Sequence, residues 1–401
     1  MNIVENKKAN NPQLKILLLD QGRQSLPFLK SLTKAGHEVI CVCNTRLSEG
    51  YFSRYPSKRL IWPSYVKDRA SFERELFSYL KENKIDVTIS VGDISSDILS
   101  RNKEEITKYT HITSPDYPIF IKAADKLNLM EYCMANNLPC PKTFPLNDQN
   151  INEIENLLQF PVIVKPTRGV GAVGVVRFEN PAEVRKQYKF LEDKYGPLII
   201  QEFIPSENGM QYQAEAFCDE LGIMKVCMTI LKPRFFPVEG GTSTANLTIT
   251  HPEMENTTRL LLEGLKWKGA ADVDYILDPR DNIVKILEIN PRVTAGIKIG
   301  FVAGIDFADL HVKLALGQEI EKIENYKLGI YCRNFFLEIL WFFLSDREMK
   351  RKTYPPFFRF YGKNVVDQLI SFDDPLASFG FFLNMVRKYL NISNFKAKFH
   401  L

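Results

Sequence analysis

Neither a Cys-x-x-Cys pair nor any Cys/His ligand spacing occurs among the seven cysteines, at 41, 43, 133, 140, 218, 227 and 332. An odd number without such spacing supports neither a disulfide framework nor a zinc site, and points to buried reduced thiols in a cytoplasmic protein. The N-terminal stretch MNIVENKKANNPQ has no apolar core, so no signal peptide is expected. Long hydrophobic runs are missing as well. The longest lies near Phe335–Leu344 and is broken by Glu338, far short of the roughly 20 residues that a spanning helix needs. Nor is there a large excess of one charge. The 52 Lys and Arg against 48 Asp and Glu leave +4, too little over 401 residues to argue for nucleic acid. Repeats and low-complexity tracts are absent. What remains is an ordinary globular mixture, 45% hydrophobic and 25% charged, which excludes disordered, collagen-like and mini-protein classes. Its length suggests two or three domains at ~150 residues each.

Residues 1–13 read as a tail. From residue 14 the chain alternates short apolar runs with helical patterns: strands at Leu14–Asp20, Glu38–Cys43 and Asp86–Gly92, and helices near Ser25–Ala35, 70–83 and Ser95–Thr107. Such alternation predicts a parallel sheet with helices on both faces, an α/β domain over 14–113. Its first loop, DQGRQS, lacks Gly-x-Gly-x-x-Gly, so a scaffold or substrate-side role is expected rather than a dinucleotide site. A helix is predicted over Lys122–Asn136, then strands at Phe160–Pro166, Val173–Phe178 and Pro197–Phe203. Asn180-Pro181-x-Glu183 has the residues of a capped helix start.

Chemistry-bearing residues cluster after these landmarks. Gly169, Gly171 and Gly174 match Gly-x-Gly-x-x-Gly as a string, yet a β-branched run follows instead of a helix. The segment therefore reads as a flap between antiparallel strands whose amides could fold over phosphates, with a plain hairpin loop as the competing reading. Lys165 sits in the preceding strand on the face of Ile163, where a charge is costly unless paired. The Ile199–Pro205 run ends a strand in a turn. The region ADVDYILDPRDNIVKILEINPR reads as a hairpin with Asp278–Asn282 as its turn. Period-two alternation places Asp272 and Asp274 on one face of the first strand, and Ile286, Glu288 and Asn290 on one face of the second. An oxygen-only set of Asp274, Glu288 and Asn290 suits Mg2+, and Arg292 follows in a position to hold an anion.

In this order, with Lys126 on a helix, Lys165 before the glycine loop, Gln-Glu-Phe-Ile and then Asp…Glu-x-Asn-Pro-Arg, the chain over about 14–320 resembles the ATP-grasp superfamily, and within it the carbamoyl-phosphate-synthase-like carboxylate–amine ligases. The resemblance implies a mixed α/β and α+β architecture. A Rossmann-like parallel-sheet domain (14–113) would precede a two-lobed ATP-grasp domain (114–324, flap about 140–203) and a helical C-terminal extension (325–401). It also implies roles. Lys126 and Lys165 would contact ATP phosphates under the flap of Gly169, Gly171 and Gly174. Glu202, Phe203 and Ile204 would form the adenine hinge, with Glu207 toward the ribose. Asp274, where a glutamate is more usual, would bind Mg2+ (or Mn2+) with Glu288 and Asn290. Arg292 would stabilise the transferring phosphate or the acceptor carboxylate. Lys232 and Arg234, in a loop with Gly240 and Gly241, would face an anionic substrate. The implied reaction joins a small-molecule carboxylate to an amine through an acyl phosphate. The alternative is a non-catalytic ATP-binding module in an assembly or at a membrane surface.

Residues 325–401 are basic and aromatic-rich, with 12 Lys and Arg against 6 Asp and Glu and 19 of the 47 aromatics. A helical layer packed on the core, or a homo-oligomer contact, is favoured over peripheral membrane attachment, because burying one Phe or Leu stabilises by roughly 1.5–3 kcal/mol.

Overall fold

The structure, a computed structural model, describes residues 12–169, 173–205, 211–238 and 241–390, with backbone alone for 384–390. Three sheets organise it. The first has strands Lys15–Leu18 (β1), Glu38–Cys43 (β2), Lys58–Ile61 (β3), Val87–Ile89 (β4) and His111–Ile112 (β5), all parallel in the order β3-β2-β1-β4-β5. Alternate residues of β1 feed two cores. Ile16 and Leu18 enter one, and Leu17 enters another with Phe72, Leu76 and Leu80 of the helix Arg69–Glu82. That is why Ile16–Leu18 of β1 and Val39–Cys43 of β2 read as unbroken apolar runs: both faces are covered.

A second, antiparallel sheet comprises Thr143–Leu146 (β6), Val162–Pro166 (β7), Val176–Phe178 (β8) and Leu198–Glu202 (β9) in the order β6-β9-β7-β8. The helix Pro181–Tyr195 packs on it through Val184, Tyr188 and Leu191. Its start follows the sequence signature: Asn180 Oδ1 accepts from the Glu183 N–H at 3.1 Å, and Glu183 accepts from the Asn180 amide at 2.9 Å.

The third sheet contains Gln211–Cys218 (β10), Met224–Phe236 (β11), Thr242–Ile249 (β12), Gly269–Asp278 (β13), Ile283–Asn290 (β14), Tyr331–Arg333 (β15) and Val365–Asp367 (β16), in the order β14-β13-β10-β11-β12-β15-β16. One face buries Ala214, Val273, Tyr275 and Ile289 against the helices Pro252–Leu265, Tyr117–Ala124 and Lys126–Ala135. The opposite face shares a core with the first sheet, through Met228 and Ile230. All seven cysteines are free and six are buried.

The structure departs from the sequence-based expectations in several elements. Lys232 and Arg234, expected in a loop, lie on β11, which runs to Phe236. The helix expected over 122–136 is two helices, parted at Asp125, whose extended backbone (φ −90°, ψ 122°) lets its carboxylate cap the second by accepting from the Leu127 and Asn128 amides. The helix near 95–107 is likewise parted at Asn102. The C-terminal piece contains helices, Phe335–Leu344, Arg347–Lys352 and Pro375–Leu390, yet it also supplies β15 and β16 to the third sheet.

That piece is bound to the sheet by buried charge. Arg234 on β11 and Arg333 on β15 both pair with Glu338, at 2.6 and 3.1 Å, and all three are shielded from water. Arg234 also donates to Thr353 Oγ1 and the Pro355 carbonyl. Breaking a buried pair from one side is costly because the remaining charge has no solvent. Glu338→Ala is expected to destabilise the protein by about 3–5 kcal/mol, read as a lower midpoint in urea unfolding; an unchanged midpoint would contradict the description of Glu338 as the counter-ion of two arginines.

Candidate active site

The site is built from the edge hairpin β13–β14. Its turn is ordered by Asp278, which accepts from the Arg280 N–H and guanidinium and from Lys285; these hold its carboxyl far below the usual range. Asn282 closes the turn with a positive φ of 58°. Pairing then runs Tyr275↔Ile286 but Asp274↔Glu288, so Leu287 is an extra residue, a β-bulge. The bulge corrects the expected face assignment. Ile286 turns into the core with Val273 and Tyr275, while Glu288 and Asn290 turn the other way, opposite Asp274 and Asp272. Without the extra residue, strict alternation would have put Ile286 among the carboxylates.

Neighbouring strands add to this face. Gln213 and Glu215 of β10 stand in register with Asp274 and Asp272. Lys232 of β11 reaches Asp274 at 2.5 Å. Lys126, at the first position of its helix, reaches Glu288 at 3.0 Å and the Gly169 carbonyl at 3.1 Å. Lys165, on β7 of the smaller sheet, is 7% exposed. Burial lowers its ammonium to a pKa of about 8, with Glu288 favouring the proton and Lys126 opposing it. Burial would raise the Glu288 carboxyl, but Lys126 and Lys165 bring it below its ordinary value. Asp274 and Asp272 are pushed up, by burial first, with the repulsion of neighbouring carboxylates adding to it.

Arg292 links this face to the first domain. It pairs with Asp272 at 3.0 Å and with Asp93 at 3.1 Å, and donates to Asn290 Oδ1 at 3.3 Å and the Val293 carbonyl at 3.1 Å. These contacts engage four of its five N–H groups, one on Nη2 being outside them. Asp93 follows β4 at the carboxyl end of the parallel sheet, where such folds bind ligands. Sequence reasoning passed over it, as it did Glu215. The only signal was position: an acidic residue directly after a strand-ending glycine.

Gly174 forms the far root of the flap. Its φ is +75°, and a Cβ there would lie 2.9 Å from Pro166 Cγ, so only glycine fits. At the near root, Arg168 donates to Asp97 at 3.0 Å. Gly171, Glu207 and Gly240 lie outside the described residues. At the hinge, Glu202 ends the β9 ladder, its carboxylate held by Arg280 (2.6 Å) and the Lys142 N–H (3.2 Å); Phe203, under the Arg177 guanidinium, and buried Ile204 follow. Arg234 is the clear correction. It was expected to face a substrate, but it points into the buried Glu338 cluster, because the residues after the β11–β12 loop bring β15 and the helix Phe335–Leu344 over it.

Residues 123–296 match the family model described as an ATP-grasp domain. Over those residues the chain is similar to an ATP-grasp domain. A D-aspartate ligase from Enterococcus faecium is 26% identical over 249 residues, covering 57% of this chain and 58% of that one. A carbamoyl phosphate synthase large chain from Saccharolobus islandicus is 26% identical over 227 residues, 53% of this chain and 21% of that one. The chain thus spans somewhat over half the length of the first relative and about a fifth of the second. Among solved structures, the biotin carboxylase domain of Hydrogenobacter thermophilus 2-oxoglutarate carboxylase, in complex with MgADP and bicarbonate, superposes with a TM-score of 0.68 at 14% identity, covering 80% of this chain and 74% of that one. The two chains therefore share a fold over most of their length.

The state of Lys165 gives anion binding at this face an expected pH signature. Only the ammonium form attracts phosphate, and in the free protein it is lost as pH rises through about 8. Nucleotide affinity, measured by calorimetry, is expected to fall progressively above that pH, and Lys165→Met is expected to bind more weakly with that dependence removed. A parallel pH dependence in the variant would place the titrating group elsewhere.

Proposed function

We propose that the protein is an ATP- and Mg2+-dependent ligase that joins a small-molecule carboxylate to an amine, releasing ADP and phosphate. The observation that supports it is the alternation Lys126–Glu288 and Lys232–Asp274 on one face, with buried Lys165 beside it and Arg292 beyond. In the absence of ligand each carboxylate is neutralised by a lysine. A metal-bound polyphosphate offers both kinds of partner at once, so lysines and carboxylates can exchange partners without stranding a charge.

Among the described residues, no three His, Cys, Asp or Glu side chains are gathered as a ready metal cage. Mg2+ does not require one, since it commonly takes one or two carboxylates plus substrate phosphates. The oxygen-only donors Asp274, Glu288 and Asn290 fit that habit, and they would hold the ion. Bound there, it would neutralise phosphate charge. Mn2+ satisfies the same donors.

In this reading a carboxylate oxygen of the substrate attacks the γ-phosphorus, the bond to the β-phosphate oxygen breaks, and ADP leaves. The amine then attacks the acyl carbon of the acyl phosphate, phosphate leaves, and the nitrogen loses a proton. Phosphoryl transfer asks chiefly for positioning and charge neutralisation. Lys126 and Lys165 supply cationic charge at the phosphates. Arg292, braced by Asp93 and Asp272, presents its remaining N–H to the acceptor or the transferring group. Lys232 stands on the substrate side. The flap between Gly169 and Gly174 keeps water from a hydrolysable intermediate. The name of one relative, a D-aspartate ligase, agrees with this class of reaction.

The test is phosphate release with ATP, Mg2+ and pooled carboxylates, with hydroxylamine added to trap an acyl phosphate as a hydroxamate. Hydroxamate formation dependent on one acid is expected; ATP binding without it would refute ligation. Glu288→Gln, at a partly exposed position, is expected to lower turnover by at least about a hundredfold with unchanged circular dichroism, and wild-type-like turnover would remove Glu288 from the site.

A further inference from the structure

The C-terminal segment carries a surface that ligation does not use. Half of the large apolar side chains exposed among the described residues fall within residues 343–382. They are not scattered. A chain of ring contacts runs from Phe343 through Phe342 to Phe358 and Phe360, then by Phe335 and Phe336 to Phe382, with centroid distances of 5.6–6.3 Å. Along it Phe343 is 74% exposed and Phe358 70%, and adjoining Tyr361 is 88% exposed. Isolated exposed apolar residues are ordinary, whereas a contiguous ridge marks a contact surface.

Beside the ridge lies the helix Arg347–Lys352, in which Arg347 and Arg351 are exposed and Lys350 lies 4.9 Å from the Phe342 ring centroid. A cavity of about 200 Å³ opens next to it, lined by Leu231, Phe235, Trp341, Met349, Lys352 and Tyr354. Aromatic rings, flanking cations and an apolar recess together match the boundary between lipid headgroups and acyl chains. No helix of the described residues is long and apolar enough to cross a membrane, so the contact would be interfacial. Charge argues against a second copy of the chain. The helix Arg347–Lys352 holds four cations against Glu348 alone, so a symmetric interface on this patch would oppose like charges.

We propose that the aromatic ridge from Phe343 to Phe382 and the cationic helix Arg347–Lys352 form a docking surface for an anionic lipid bilayer, holding the protein peripherally at a membrane.

The test uses the intact chain in co-sedimentation with vesicles of phosphatidylcholine alone and of phosphatidylcholine mixed with phosphatidylglycerol. Pelleting with the anionic vesicles, weakened by salt, is expected. Each cation near the surface contributes about fivefold to binding, so Arg347→Ala with Arg351→Ala should weaken it roughly thirtyfold. Phe343→Ser with Phe358→Ser, both exposed and outside the proposed active site, should abolish pelleting while circular dichroism and phosphate release stay as in the parent. Equal pelleting with both vesicle types, none with either, or unchanged binding by either double variant would overturn the proposal. So would a dimer in sedimentation velocity that the phenylalanine variant dissolves in the absence of lipid binding, since the occupant would then be a second copy.

Discussion

Four opposite charges alternating on one sheet face, Lys126 with Glu288 and Lys232 with Asp274, are the constraint around which the rest is arranged. Removed from bulk water, such pairs are seldom a source of stability; their attraction must offset the desolvation of every member. A fold keeps them where their partners can be exchanged. That explains why the lysines come from elements other than the hairpin. Lys126 stands on a helix, Lys165 on the smaller sheet and Lys232 on a central strand, so each can approach the face without being fixed to it covalently nearby.

The bulge at Leu287 makes this face available. A regular ladder would commit β14 to one alternation from end to end, and the strand could then serve the core or the site, but not both. One additional residue lets Val284 and Ile286 pack inward before it and Glu288 and Asn290 face the site after it. Arg292, immediately beyond, then meets Asp93 from the parallel-sheet domain. The first and third sheets thus share a charge network through Arg292, at the carboxyl end of the first sheet.

Much of this was legible in the chain because local chemistry announces itself locally. Asp278–Asn282 are turn formers between apolar runs, Asn180-Pro181-x-Glu183 is a self-contained cap, and Ile16–Leu18 of β1 are apolar in succession because both faces of the strand are covered. The bulge was not legible, since Leu287 is the residue that either alternation would tolerate. Asp125 was read as part of a helix because its cap acts through a backbone conformation that periodicity does not register. Arg234 was misjudged for a different reason. Its counter-ion lies 104 residues away, and nothing within its own strand signals that a buried glutamate will cover it. Residues paired at short range could be read; those whose meaning rests on a distant partner could not.

The same consideration governs the C-terminal segment. Read as composition, its aromatics suggest a buried layer, and part of it behaves so: Trp341 and Phe357 are buried and stacked, and Leu337 and Glu338 face the sheet. The helix Phe335–Leu344 is apolar nearly all round, however, and only one side can meet β11 and β12. Phe343 and Leu344 are left in solvent for geometric reasons, and the following turn of basic residues keeps that face from being mistaken for core. Two strands and a buried glutamate tie this segment to the third sheet, so its outward aromatics are carried on an element anchored by backbone pairing and by charge.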